Sequence, residues 1–407
     1  MGKPKPEGTG SLTDRVHSVS LCSYPQRPTV LSDWESLTLS GGEALDRAHR
    51  WLAKRFGRLI VPTSAFRVNL AAMRQAAAFY SDPGLAEHPE RFFREPLGAP
   101  LVTVSRPHTL SRGEIFDIEF HSSYQPAYEP FREEFYSYRE NQKVHARVWR
   151  HPPGEALGQV VAIHGWFMGD QRLNAVALLP GFFFRLGLDV VLYELPYHGH
   201  RMPEGLPSDT VLFPSAHIPR TNEAMGQAIY DLRLIAEWLR TESSLPIGVV
   251  GMSLGGYAAA LWASLDELDF VIPVVPLVSM AELAWSSLNH CAEQEEKICK
   301  RLLSTTTLAE LKQIYRVHCP LSYEPRVSHD RRMIVAGLAD SIIPPAQPEA
   351  LIEHWGEPET IWFPGGHLAR PGESAVFQRI HGFLRSINRA HRRMLAIHAD
   401  QNGAESP

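Results

Sequence analysis

The chain has 407 residues, enough for one large domain with additions or for two domains. Hydrophobic residues make up 44% and charged residues 21%, and the net charge of -5 excludes the basic excess of a nucleic-acid binder. The four cysteines form no CxxC pair, which favours a reducing compartment. The amino end lacks a secretory signal and no apolar run is long enough to cross a membrane, so we expect a cytoplasmic protein without an integral membrane segment.

The first third of the chain is predicted to consist of a flexible segment followed by helices. Residues 1–33 are rich in Pro, Gly, Ser and Thr, which predicts a flexible N-terminus. Residues 34–110 contain AFRVNLAAMRQAAAFY, with apolar residues three and four apart, and we interpret them as a helical extension. IFDIEF and VHARVWR then alternate like strands, so a single main domain is assigned to 111–395 and a flexible tail to 396–407.

From residue 158 short apolar strands alternate with helices. The predicted strands are QVVAIHG, DVVLYELP, IGVVGMS, FVIPVVPLV, RMIVAGLAD and TIWFPGG. Helical stretches such as QRLNAVALLPGFFFRLG and NEAMGQAIYDLRLIAEWLR lie between several of them. This alternation predicts an α/β fold with a mostly parallel sheet of about eight strands and helices on both faces. The long helical interval at about 280–328 predicts a cap over the ligand end of the sheet.

One serine stands in an unusual setting at the end of the third of these strands. In GVVGMSLGG, the motif G-x-S-x-G is formed by Gly251, Ser253 and Gly255, directly before an alanine-rich helix. A sharp strand-to-helix turn lifts the serine hydroxyl above the sheet, and a side chain at either glycine would collide with its neighbours. The helix N-terminus favours developing negative charge. Ser253 is therefore the candidate nucleophile.

A serine nucleophile needs a base and an orienting carboxylate. Asp340 follows the strand RMIVAGL, and His367 follows TIWFPGG. We predict that His367 takes the proton of Ser253 and that Asp340 holds His367 in the correct tautomer. Glu282, after the preceding strand, is an alternative acid, whereas Asp330 precedes its strand and lies at the wrong end.

An oxyanion hole requires backbone donors. The N–H of Leu254, after the nucleophile, is one candidate, and the N–H of Trp166 in VVAIHGWFMGD is the other. Candidate substrate contacts are His164, which alternatively fixes the oxyanion loop, Phe167 on the mouth loop, and Met252 beside the nucleophile. His198 and His200 in YHGHR have no further His or Asp cluster nearby, so we interpret them as a structural loop and predict no metal site.

The region from about 140 to 390 resembles the α/β-hydrolase superfamily. The resemblance rests on the HG turn at 164–165, the nucleophile elbow, the D-x-I-I-P ending at Asp340 and the G-G-H turn at His367. LYELPYHGHRMP (192–203) is similar to the segment found there in the family of α/β-hydrolase domain-containing protein 18 and its bacterial relatives. The resemblance implies an α/β-hydrolase fold and hydrolysis of an ester, thioester or amide through an acyl-enzyme, without a cofactor.

The leading hypothesis is a serine hydrolase that cleaves a small-molecule carboxylic ester. Two alternatives use the same triad: a serine peptidase or amidase, for which Arg172, Arg201 or Arg220 would hold the peptide terminus, and an acyltransferase. A non-catalytic binding member of the fold is a further class, which typically lacks a triad residue. Oligomeric state and the natural substrate are not readable from the sequence.

Overall fold

The computed structural model describes residues 70–166, 168–206, 210–289, 306–367 and 375–389. In these residues a sheet of ten strands runs in the order β1-β3-β4-β6-β5-β7-β8-β9-β10, with β2 paired to β3. The strands are β1 Thr103–Val104, β2 His108–Leu110, β3 Gly113–His121, β4 Lys143–Arg150, β5 Gly158–Ile163, β6 Leu188–Tyr193, β7 Ile247–Met252, β8 Phe270–Val274, β9 Met333–Gly337 and β10 Glu359–Phe363.

Strands β5 to β10 pair in parallel, whereas β1 to β4 add an antiparallel edge. The mostly parallel α/β sheet is confirmed, and the expected number of about eight strands corresponds to β3 to β10. The end of the segment 34–110, which was predicted to be a helical extension, contains two short strands. Residues 103–104 and 108–110 pair with β3, because an exposed antiparallel edge accepts short strands that the helical periodicity upstream does not reveal.

Helices cover both faces of the sheet. Alternate residues of the central strands enter two separate cores: Val161 and Val249 pack towards one face, Val160 and Val250 towards the other. This alternation is the period-two pattern of a strand buried on both sides. The described helices are α1 Leu70–Tyr80, α2 Pro83–Glu87, α3 Arg132–Ser137, α4 Gln171–Leu178, α5 Pro180–Arg185, α6 Ile218–Glu242, α7 Leu254–Leu265, α8 Met280–Asn289, α9 Leu308–Ile314, α10 Ala346–His354 and α11 at residues 375–389.

The stretch expected as one helix at 171–187 is two helices. Leu179 takes the left-handed conformation with φ 48°, and Pro180 begins α5. Proline cannot continue the hydrogen bonds of the preceding helix, so the chain turns at this point. The second helix thereby places Phe183 and Phe184 in the core on the same face as α11.

The interval predicted to form a cap, residues 280–328, contains two described parts. Helices α8 and α9 lie against each other, and Glu282 of α8 forms a 3.3 Å ion pair with Lys312 of α9. The chain after α9 returns to the sheet, where His318 bonds Tyr257 of α7 at 2.6 Å and both side chains are fully buried. Residues 290–305, and the predicted helix before residue 70, lie outside the described residues.

Candidate active site

Ser253 lies at a sharp turn between β7 and α7. Its backbone has φ 57° and ψ -114°, a conformation that residues other than glycine rarely adopt. A Cβ on Gly251 would collide with the carbonyl of Gly255, and one on Gly255 with the carbonyl of Ile163. Only glycine fits at these two positions, which explains why the serine is flanked by residues without side chains.

Hydrogen bonds on both sides hold this strained turn in place. The N–H of Ser253 donates to the carbonyl of Val274 at 2.9 Å, and its carbonyl accepts from Tyr257 at 3.0 Å and Leu277 at 3.1 Å. Strain at one residue persists only where its surroundings over-determine the conformation. The side chain is mostly buried, with 8% of the residue exposed.

Asp340 and His367 meet after β9 and β10. The Nδ1 of His367 lies 2.7 Å from Oδ2 of Asp340, and both residues are buried. The other carboxylate oxygen, Oδ1, accepts the N–H groups of Ile342 at 3.0 Å and Ile343 at 2.7 Å. With Nδ1–H donated to the carboxylate, Nε2 of His367 is left as the nitrogen that can accept a proton.

The elements that carry these three residues leave the sheet at the same edge. β7, β8, β9 and β10 are consecutive parallel neighbours, so their carboxyl ends lie side by side. Ser253 follows β7, Asp340 follows β9 and His367 follows β10. Ligands of open α/β sheets bind at this edge.

The loop after β5 lies directly against the nucleophile. A Cβ on Gly165 would be 3.3 Å from Cβ of Ser253, so the HG turn can approach the serine closely only because it has a glycine there. Trp166 follows and is half-buried. On the other side Leu254 is the first residue of α7, where backbone N–H groups have no intrahelical acceptor. Of the two predicted backbone donors, Leu254 directly follows Ser253, and Trp166 follows the glycine that packs against it.

His164, a candidate substrate contact, lies in the protein interior and is held by two hydrogen bonds. It is fully buried, its Nε2 accepts the N–H of Leu195 at 3.1 Å, and its Nδ1 lies 2.8 Å from the carbonyl of Gly165. Because Nε2 accepts, the proton is on Nδ1 and is donated to Gly165. Burial, with a smaller effect of His198, lowers the pKa of His164 to about 3 and keeps it neutral. The alternative, that His164 fixes the oxyanion loop, fits this geometry.

The other two candidate substrate contacts have different outcomes. Met252 is buried in the core between the sheet and helices α4, α5 and α11, because strand alternation points it away from the face of Val249. This position argues against the predicted contact with substrate. Phe167 lies outside the described residues.

The carboxylate that contacts His367 is that of Asp340. Glu282 instead pairs with Lys312, between helices α8 and α9. Asp330 lies in the short turn 329–331 before β9, at the opposite end of that strand from Asp340.

The segment 194–201 is a buried structural loop. The carboxylate of Glu194 accepts from Gln171 at 2.6 Å and contacts Nδ1 of His200 at 2.9 Å, and burial raises its pKa. Arg201 is fully buried and bonds Asp231 of α6 at 2.8 Å. These contacts hold the segment as a loop; in the part of the chain that is described, no group of three His, Cys, Asp or Glu side chains is placed to hold a metal.

Helix α6 carries a buried polar stripe that sequence reasoning missed. Glu223, Gln227 and Asp231 are four residues apart and fully buried. Glu223 accepts four hydrogen bonds, from the hydroxyls of Tyr80 and Tyr124 at 2.6 Å each and from the N–H groups of Ala127 at 3.0 Å and Tyr128 at 2.9 Å. The signal was available as polar residues at helical spacing within an apolar helix, but their partners lie far away in the sequence.

A cavity of about 350 Å³ opens beside the oxyanion loop. Trp166 forms one end of it, helices α1, α8 and α9 form its walls, and the start of α6 completes it. Its volume is within the range of about 300–1,000 Å³ typical of small-molecule sites.

Among the described helices none is long and apolar enough to cross a membrane.

The fold and the edge geometry define the class of an α/β hydrolase. Solved structures agree: acetyl xylan esterase 1 from Thermoanaerobacterium sp. JW/SL YS485 superposes with a TM-score of 0.52, 17% identity and coverage of 75% of this chain and 92% of that one. The acetyl xylan esterase from Paenibacillus sp. R4 superposes with a TM-score of 0.51 and 15% identity, and the match covers 76% of this chain and 94% of that one. At such identities the likeness establishes the fold.

Sequence relatives define the family. Residues 130–292 match the family described as alpha/beta hydrolase domain containing 18. The uncharacterized protein Rv2627c of Mycobacterium tuberculosis (strain ATCC 25618 / H37Rv) is 37% identical over 316 residues, covering 75% of this chain and 73% of the relative. The uncharacterized protein MT2702 of strain CDC 1551 / Oshkosh gives the same identity and coverage. The chain belongs to the α/β hydrolase domain containing 18 family.

Proposed function

We propose that the protein is a serine hydrolase of carboxylic esters, with Ser253 as nucleophile, His367 as general base and Asp340 as the orienting acid. The observation that carries the proposal is the 2.7 Å contact between His367 and Asp340 at the sheet edge where the strained turn presents Ser253. A carboxylate that accepts from Nδ1–H makes Nε2 the nitrogen that takes the serine proton, which is the tautomer that this chemistry needs.

The reaction follows from these groups. Oγ of Ser253 attacks the ester carbonyl carbon while its proton moves to Nε2 of His367. The N–H groups of Trp166 and Leu254 donate to the oxyanion. The carbon–oxygen bond of the ester then breaks, and the alcohol leaves with the proton from His367. Water attacks the acyl-serine by the same route and releases the acid.

The surroundings of the candidate arginines support an ester substrate over a peptide. A peptidase of this kind would hold a peptide terminus with a free charge, but Arg201 is bonded to Asp231 and Arg220 to Glu134, and both guanidinium groups are buried. Arg172 is exposed at the start of α4. The two structural neighbours described above are named as acetyl xylan esterases, which supports the proposal.

The experiment is labelling with a fluorophosphonate, which reacts with an activated serine. Wild-type protein should be labelled and should hydrolyse p-nitrophenyl acetate, and a protein with Ser253→Ala should do neither. Product analysis with added alcohols separates hydrolysis from acyl transfer. A well-folded wild type that is neither labelled nor active would contradict the proposal and favour a non-catalytic binding protein.

A further inference from the structure

Helix α1 lies outside the segment that matches the family, and yet it forms a wall of the cavity. The family match begins at residue 130, whereas α1 spans Leu70–Tyr80. Ala76 and Tyr80, four residues apart, are buried against the core. Met73, Ala77 and Ser81, also four apart, line the cavity. One face of the helix therefore anchors it, and an adjacent face is turned to the cavity.

The anchoring is specific. The hydroxyl of Tyr80 donates to the buried carboxylate of Glu223, which also accepts from Tyr124. Tyr80 packs edge-on against Phe92 with 6.2 Å between ring centroids. A helix held by a buried hydrogen bond and by aromatic packing is a fixed wall, so its side chains define the shape of the cavity.

Two lining residues place the cavity close to the surroundings of Ser253. Trp166 lines it and follows Gly165, which abuts Ser253. Met280 also lines it and lies three residues after Leu277, whose N–H bonds the carbonyl of Ser253. Ser253 is not among the described lining residues, so the cavity lies next to segments that pack around the serine and extends between α1 and α8.

The chemistry of the lining is apolar with a charged outer end. The walls are supplied mainly by aliphatic side chains, among them Leu283 and Ala284 of α8. Arg74 and Glu310 are the charged lining residues, and both are exposed to solvent on facing helices. Burial of an uncharged apolar group is favourable there, whereas an ion in the inner part would lose its hydration without a partner.

The position of the cavity identifies which half of an ester it would hold. Its described lining includes no residue of β9, β10 or the loops that carry Asp340 and His367. The alcohol must leave on the side of His367, because that residue returns the proton to it. The acyl group points away from His367, towards Trp166.

We propose that this cavity holds the apolar acyl group of an uncharged ester, and that Ala77 of α1 sets the acyl length that fits. The proposal rests on the proposed function. The small side chain of Ala77 leaves room opposite α8, and a larger side chain there would fill it. A hydrophobic pocket discriminates by roughly 10–200-fold per methylene group, so added bulk has a measurable effect.

The test compares Ala77→Phe with Gln75→Phe, which adds the same ring to an exposed position of α1 outside the cavity lining. We measure kcat/KM for p-nitrophenyl esters from acetate to dodecanoate and for alkyl acetates from ethyl to octyl. Ala77→Phe should lower the ratio of long to short acyl esters by at least about tenfold and leave the alkyl acetate ratios unchanged. Gln75→Phe should leave both ratios at the wild-type value.

Two additions keep the outcome decisive. Ala284→Phe adds bulk from the opposite wall and replaces Ala77→Phe if that protein unfolds. Calorimetric titration of decanamide, an uncharged apolar probe, into Ser253→Ala protein measures binding to the cavity in the absence of catalysis. Binding that disappears when Ala77→Phe is added supports the cavity even if wild type hydrolyses no ester, in which case only the proposed function fails. The proposal is overturned if the ratio of long to short acyl esters is unchanged in both bulky variants, or if only the alkyl acetate ratios change. It is also overturned if decanamide does not bind, or if its binding is unaffected by Ala77→Phe.

Discussion

His367 and Asp340 are 27 residues apart in sequence, and a contact of 2.7 Å joins Nδ1 of the imidazole to Oδ2 of the carboxylate. The second carboxylate oxygen accepts hydrogen bonds from two backbone N–H groups, so the position of the carboxylate does not depend on its contact with the histidine. The histidine ring is thereby oriented with Nε2 directed away from the acid.

Replacing Asp340 by Asn should lower kcat for p-nitrophenyl acetate by on the order of 10⁴, because an amide can stabilise the wrong tautomer of His367. Steady-state kinetics measures the effect. Glu282→Gln is the matched control, since it removes the alternative carboxylate, and it should retain kcat. Loss of activity in Glu282→Gln with full activity in Asp340→Asn would transfer the acid role to Glu282.

Replacing Ser253 by Ala should abolish fluorophosphonate labelling and ester turnover while the melting temperature stays close to that of the wild type. The strained backbone is held by hydrogen bonds of the main chain, which the substitution does not touch. Ser264→Ala, a buried serine in helix α7 that follows Ser253, is the control and should be labelled normally. Labelling that persists in Ser253→Ala would mean that another residue is the nucleophile.

Replacing His164 by Leu should lower kcat by roughly 10–100-fold with little change in KM, less than the 10²–10³ lost with an oxyanion donor. The carbonyl of Gly165 belongs to the peptide group whose N–H is that of Trp166, so the histidine bond orients that donor. His198→Leu removes a neighbouring buried histidine that bonds Pro196 instead. If both variants lose kcat equally, the effect is general destabilisation.

Replacing Tyr80 by Phe should lower the free energy of unfolding by roughly 1–3 kcal/mol, the range for a buried hydrogen bond to a carboxylate. Burial and the neighbouring Glu223 raise the pKa of Tyr80, so its hydroxyl remains protonated and donates. Urea unfolding measures the loss, and hydrogen exchange should increase first in α1. Tyr136→Phe, at an exposed position, should have no effect on either measurement.

Stability should fall as the pH is lowered from about 6.5. Burial lowers the pKa of His318 to about 3 and that of His198 to about 4, so below the unfolded pKa the unfolded state binds more protons than the folded state. Each such histidine contributes a slope of up to about 1.4 kcal/mol per pH unit between the folded and unfolded pKa values. Urea unfolding of His318→Gln across this pH window should give a shallower slope than wild type.

The exposed His108→Gln serves as the control for the pH experiment and should keep the wild-type slope. A His318→Gln protein with the full wild-type slope would show that His318 does not contribute to it. Absolute stabilities of the two variants need not agree, because the comparison is between slopes.

Local patterns in the sequence determined the strand–helix alternation, the elbow around Ser253 and the positions of Asp340 and His367 after their strands. Each depends on spacing within a few residues, on glycine geometry or on proline, and these act over short distances. The fold class and the family expected from them are confirmed. The catalytic roles remain predictions.

Contacts between distant segments were decided only by the tertiary structure. Burial of His164, the inward orientation of Met252, the polar stripe of α6 and the cavity wall formed by α1 all depend on which elements become neighbours. The sequence does not distinguish a buried polar residue from an exposed one. The free energy of burying such a residue depends on its partners, such as Tyr80 and Glu223 for each other, and folding brings those partners together.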